Sequence, residues 1–224
     1  MEIIVIDSGS QEDEGRIVRE LKKKHDRIKY LRTEKRETLY QAWNRGIQKA
    51  EGEYLTNANT DDRHAPECIQ LLVQALEENP ECDLSYGNLH KSFVPNAKYD
   101  TEESSQTCHS QEFFPGSVLL HYIYGAQPLW RKSLHQKVGF FSEEFEALGD
   151  YDFALRLISK GIASKHVPDA WGKMLWHQDA LSTRDFTALQ EKRSIIERHR
   201  NSETVFASYQ PALSPAQAPR EKEE

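Results

Sequence analysis

The chain has 224 residues, 38% of them hydrophobic and 29% charged, with 36 acidic and 29 basic side chains and a formal net charge of −7. That length suits one domain with a full core, and the acidic balance excludes a general attraction to nucleic acid or anionic lipid. No apolar run approaches the roughly 18–20 residues of a membrane span, the opening MEIIVIDSGS lacks a basic n-region and cleavage site, and three cysteines without CxxC spacing fit a reducing compartment rather than a disulfide or zinc framework.

The run EIIVID at residues 2–7 is short, apolar and β-branched, which predicts a buried parallel strand closed by the polar turn Asp7-Ser8-Gly9-Ser10. Ile17, Val18 and Leu21 then recur at helical spacing, and RIKYLR at 27–32 alternates as a half-exposed strand does. Thr38 and Gln41 have capping-box spacing ahead of Leu39, Ala42, Trp43, Gly46, Ile47 and Ala50, the clearest amphipathic helix in the chain. EYLTN at 53–57 predicts a strand, followed by the polar cluster 59–64. Pro66 opens a helix that Asn79-Pro80 stops.

DLSYGN at 83–88 reads as a strand, and residues 90–110 lose all pattern and read as a long polar loop. Gly149 to Gly161 predicts a helix, two short strands follow near 164–167 and 171–176, and Ser182 or Thr183 caps a last helix to about His199. The tail from Glu203, with three prolines and the ending REKEE, reads as disordered. The domain expectation is therefore 1–202 folded and 203–224 a polar tail. Strands alternating with helices imply an α/β fold with a largely parallel sheet, in which ligands bind beyond the carboxyl ends of the strands.

Several side chains at those ends have chemistry to offer. Asp61 and Asp62 are adjacent carboxylates that repel without a cation, and oxygen ligands suit Mg²⁺ or Mn²⁺ against a diphosphate. Asp150 lies in the first turn of its helix and can accept a proton from a sugar hydroxyl. Asp7 can accept a hydrogen bond from a base N–H, and His177 follows an aromatic-rich strand as a metal or phosphate ligand. Taken singly, each also suits a structural part: a solvated turn, a helix-start carboxylate, an Asx turn, a core histidine. The absence of GxGxxG after a strand, of GxxxxGK[ST] and of GxSxG removes the dinucleotide fold, P-loop chemistry and the hydrolase elbow.

The order of the motifs is more specific than any one of them. EIIVIDSGS, then AWNRGIQKAEGEYLTNANTDD, then VGFFSEEF, then GDYDFALRLISKG resembles the family 2 glycosyltransferases of the GT-A fold, over about residues 2–182. The resemblance implies a GT-A three-layer sandwich with a mostly parallel mixed sheet. It implies that Asp7 and Ser8 stand in the nucleotide-binding turn, that Asn59-Thr60-Asp61 stands at the DxD metal motif, and that Asp150 matches the catalytic base of ED-x-D. His177 matches a late histidine near metal and diphosphate. The implied activity is inverting transfer of a sugar from a nucleotide-diphospho-sugar to a hydroxyl acceptor on a glycan or lipid-linked molecule. Asp61 and His177 would ligate Mn²⁺ or Mg²⁺, with Asn59 beside them. No nucleic acid partner or transmembrane segment is expected, and the expected place is the cytoplasm, at most peripheral to a membrane.

Three departures accompany the resemblance. The first DxD position is Asn59, the glutamate of ED is Gly149, and the family's usual first strand, which lies beside the strand carrying Asp7, has no counterpart here. Two other readings stay open: a degenerate, non-catalytic nucleotide-binding or interaction module of the same fold, and a nucleotidyltransferase with a related sheet.

Overall fold

The structure is a computed structural model and describes residues 1–100, 105–120, 122–176 and 185–200. The elements run β1 (Ile3–Ser8), α1 (Glu14–Lys22), β2 (Ile28–Thr33), α2 (Leu39–Lys49), β3 (Tyr54–Thr56), β4 (Arg63–His64), α3 (Cys68–Glu78), β5 (Cys82–Ser92), β6 (Ser105–Cys108), α4 (Pro115–Leu120), β7 (Leu129–Arg131), α5 (Leu134–Val138), α6 (Gly149–Ser159), β8 (Ala163–Leu175) and α7 (Asp185–His199).

Two sheets result. β1 and β2 pair in parallel on their own. The larger sheet has the order β3-β7-β5-β8-β4, with β6 added to β5. Its one long ladder, β5 with β8, is parallel, and its four short ladders are antiparallel. Because β7 runs against both neighbours, β3, β5 and β8 all point the same way, and their carboxyl ends share one edge. Glu2, at the start of β1, accepts from the amides of Glu51 and Gly52 just ahead of β3, so these two strands start at a common edge.

Alternation in the short β7 shows why the sheet is covered twice. Leu129 packs toward α3 with Leu72, Leu76 and Ala170, while Trp130 packs the other way with Tyr40, Phe141 and α6. Residues 82–86 of β5 are buried in succession, as a central strand with both faces covered must be. α6 buries eight of its eleven residues and is thus an inner helix, not a surface one.

The capping box of α2 is present as read: the Thr38 hydroxyl accepts from the Gln41 amide and Gln41 accepts from the Thr38 amide. The 90–110 reading needs correction. β5 continues to Ser92 and pairs with β6, so a β-ribbon stands where a loop was expected. Its side chains are mostly polar and half-buried, which erases the hydrophobic period. The two strands expected near 164–167 and 171–176 are one strand, β8, whose pairing is interrupted where Tyr86 to Asn88 of β5 oppose His166 to Trp171. The tail, the Ser182 or Thr183 cap and His177 lie outside the described residues. No strand joins the β1–β2 pair to the larger sheet among the described residues.

Candidate active site

Asp7 closes β1, and its carboxylate is buried and engaged. Oδ1 accepts from the Ser10 amide at 2.9 Å, and Oδ2 accepts from Arg32 at 2.6 Å and from the Tyr30 hydroxyl. Burial pushes this carboxyl upward, but the Tyr30, Ser10 and Arg32 bonds outweigh it and hold Asp7 below the usual carboxylate range. The turn then requires Gly9, whose φ of 61° is left-handed and whose added Cβ would meet the Arg36 nitrogen at 2.9 Å. Ser8 donates to the Glu37 carbonyl at 3.2 Å and accepts from the Glu37 amide, which ties β1 to the start of α2.

The segment after β3 is fixed from both sides. Thr56 donates to the Pro128 carbonyl at 2.9 Å and Asn57 to the Ala126 carbonyl at 2.5 Å. Asn59 Nδ2 donates to Asp62 Oδ2 at 2.9 Å, and Asp62 Oδ1 accepts from the Leu175 amide at 3.3 Å, at the carboxyl end of β8. Of the two adjacent acids, Asp62 is the buried one and Asp61 is exposed. Burial pushes Asp62 up to about 6 against the Asn59 bond, and the charge of Asp61 adds to the rise.

This donor set suits a hard divalent cation in one respect. The Asp62 bond uses the Nδ2 of the Asn59 amide, which leaves its Oδ1 as an oxygen that can ligate. Among the described residues no three His, Cys, Asp or Glu side chains converge for a metal. A cation here would therefore rely on one or two protein oxygens plus those of a diphosphate, the manner in which Mg²⁺ is usually held. His177 lies outside the described residues, two positions beyond Leu175.

Asp150 begins α6 and is partly buried. Its Oδ1 accepts from the Tyr151 amide at 2.8 Å and from the Tyr40 hydroxyl at 3.2 Å. Its Oδ2 has no hydrogen-bond partner among the described residues. Burial pushes this carboxyl up to about 6 against those two bonds. The turn leading into α6 is held by Glu191 of α7, whose carboxylate accepts from the amides of Glu146, Ala147 and Leu148.

Contacts tie the Asp7 turn to Asp150, and a separate loop holds the segment of Asn59 and Asp61. Ser8 touches Glu37 beside the α2 cap, Tyr40 in the first turn of α2 touches Asp150, and the 126–128 loop holds the segment carrying Asn59 and Asp61. An open recess of about 710 Å³ near the strand starts, lined by Ile47, Gly52, Lys132, His135 and Phe140, includes none of these residues. Tyr40 and Glu191 were not singled out from sequence. Tyr40 had a signal: two residues past a capping threonine that follows a strand, it must sit at the ligand-binding edge. Glu191 had none, since its partners lie about 45 positions earlier.

Comparison with known proteins gives the family and the fold. The family described as "Glycosyl transferase family 2" matches residues 1–139. An uncharacterized glycosyltransferase of Haemophilus influenzae is 26% identical over 161 residues, 71% of this chain and 52% of that protein. Glycosyltransferase GlyG of Streptococcus pneumoniae is 33% identical over 90 residues, 40% of this chain and 30% of that protein. The chain thus spans about half the length, or less, of these relatives. Among solved structures, GalNAc-T7 crystallised with UDP, GalNAc and Mn²⁺ superposes with a TM-score of 0.64 at 14% identity, over 88% of this chain and 42% of that one. S. aureus TarS gives 0.62 at 16% identity, over 90% of this chain and 38% of that one. The fold is accordingly GT-A, an α/β architecture with a curled mixed sheet. With residues 1–139, more than half its length, inside the matched region, the chain belongs to glycosyl transferase family 2.

Proposed function

We propose that this glycosyltransferase moves a sugar, with inversion, from a nucleotide-diphospho-sugar to a hydroxyl acceptor on a glycan or lipid-linked molecule. The carrying observation is Asp150: one oxygen is pinned by Tyr40 and Tyr151, the other is without a partner among the described residues, and burial brings its pKa to about 6. A base needs such a value, low enough to be ionised at neutral pH and high enough to take a proton. In the reaction the acceptor oxygen bonds to C1 of the sugar as the bond from C1 to the diphosphate breaks. The electron pair leaves with the diphosphate and the acceptor proton passes to Asp150.

Asp7 and Ser8 would shape the turn that receives the base, with Asp7 Oδ1 keeping one acceptor position open beyond the Ser10 amide. Asp61, the Asn59 amide oxygen and His177 would hold Mn²⁺ or Mg²⁺ against the diphosphate, and such an ion supplies charge neutralisation at the leaving group. GalNAc-T7, with UDP, GalNAc and Mn²⁺ bound, supports both the donor class and the cation. No described helix is long and apolar enough to cross a membrane, and a cytoplasmic enzyme meeting a lipid-linked acceptor at a membrane surface suits the reading.

Asp150→Asn is expected to retain UDP binding and to lower transfer by about 10²–10⁴-fold, the usual contribution of a general base. Unchanged turnover would reject the base. Asp61→Ala is expected to remove the Mn²⁺ dependence of UDP binding in calorimetry; affinity that ignores both Mn²⁺ and this substitution rejects the metal assignment. A second reading, a non-catalytic module, is favoured by β1 having β2 as its one strand partner among the described residues and by the amide at Asn59. It predicts nucleotide binding with neither transfer nor donor hydrolysis.

A further inference from the structure

The ring of Tyr40 is fixed before its hydroxyl is considered. It is 1% exposed, lies nearly parallel to Phe141 at 5.9 Å and meets Trp43 edge-on at 5.5 Å. It also fills the space that a side chain at position 149 would need: a Cβ on Gly149 would lie 2.7 Å from Tyr40 Cδ2 and Cε2. Gly149 therefore lets the aromatic ring reach the start of α6, and the ring delivers its hydroxyl there.

At that place one hydroxyl hydrogen faces two acceptors. The Ala147 carbonyl is 3.1 Å from Tyr40 Oη and Asp150 Oδ1 is 3.2 Å away. A phenol has a single hydrogen to donate, so the bonds compete. An anionic carboxylate is a stronger acceptor than an amide carbonyl, whereas the carbonyl of a neutral carboxylic acid is a weaker one. Burial and the charge of Asp150 keep the phenol protonated far above its ordinary range, so it acts as a donor throughout.

We propose that Tyr40 is a positioning residue whose hydroxyl hydrogen follows the charge of Asp150, sitting on Oδ1 while the carboxylate is ionised and moving to the Ala147 carbonyl once Oδ2 has taken the acceptor's proton. The inference rests on the reading of Asp150 as the base. It assigns Tyr40 a selective stabilisation of the ionised base and assigns Oδ2 as the atom that receives the proton. Four other groups bear on Asp150: Tyr122 and Glu191 through their electrostatic proximity, the Tyr151 amide through its bond to Oδ1, and its own backbone amide. None of them competes for the Tyr40 hydrogen.

The test follows the ionisation of Asp150 directly. The full chain is labelled with ¹³C in its aspartate carboxyls, and the Asp150 resonance is identified by its loss in Asp150→Asn. Tyr40→Phe keeps the ring and removes the hydroxyl; it is expected to raise the Asp150 midpoint by about one pH unit, the loss of one hydrogen bond to a charged acceptor. Tyr40→3-fluorotyrosine keeps the fold and makes a better donor, and is expected to lower the midpoint, which answers the question even if the phenylalanine variant does not fold. A midpoint unmoved by both changes overturns the proposal. In transfer assays the acid limb of kcat/KM should move with the midpoint. A moved midpoint with an unmoved limb supports the Tyr40 assignment and rejects Asp150 as the base.

Discussion

Asn44 shows how one side chain can hold a segment that is remote in sequence. Its amide donates to the Phe141 carbonyl at 2.9 Å and accepts from the Phe141 amide at 3.0 Å, deep in the core. Asn44→Ala leaves two buried backbone groups without partners, at about 1–3 kcal/mol each. Urea denaturation should therefore show a loss of about 2–4 kcal/mol; a loss below about 1 kcal/mol would mean that water replaces the amide. This asparagine lies inside the run AWNRGIQKAEGEYLTNANTDD, but its role was not legible there, since the partner lies 97 positions away. Asp7 is the converse case. The sequence located it at the turn, yet the bonds of its Oδ2 to Tyr30 and Arg32 depend on the register of β1 with β2, which pairs Asp7 with Arg32 and Val5 with Tyr30.

At the level of elements, α6 and α7 are clamped together by a buried charge. Asp152 is 1% exposed; it accepts from Arg156 at 2.9 Å and meets His199 Nε2 at 3.1 Å. Burial opposes the ionised form, but His199 and Arg156 outweigh it and hold the Asp152 carboxyl below the usual range. A depressed acid contributes stability above its unfolded pKa and loses that contribution as the pH falls through its folded value. Asp152→Asn should thus cost about 3 kcal/mol at neutral pH, and the difference from the unsubstituted chain should shrink on acidification. A difference that is constant with pH would reject the ionic account. The long, periodic helices α2, α3 and α6 were legible because burial of one face imposes a repeat. β4, β6 and β7 were not: each has two to four residues, too few for alternation to register, and they are defined by partners distant in sequence.

For the molecule as a whole, the separation of β1–β2 from the larger sheet matters most. Two-stranded sheets are marginal alone, and the apolar strand β1 leaves Ile3 50% exposed. The pair is retained by α2, by the Glu2 bonds to the amides of Glu51 and Gly52, and by Ser8 with Glu37. Native-state hydrogen exchange should show β1 and β2 amides opening at a lower free energy than those of β5 and β8; equal protection in both sheets would contradict this ordering. The turn bearing Asp7 rides on the smaller piece, while Asp61 and Asp150 belong to the larger. On the proposed reading a nucleotide-diphospho-sugar touches both pieces, so its apparent affinity scales with the fraction of molecules in which they are aligned. A cross-link between the pieces, placed far from any ligand-touching group, is then expected to tighten binding with no new contact made; unchanged affinity would mean that the pieces are already held in register.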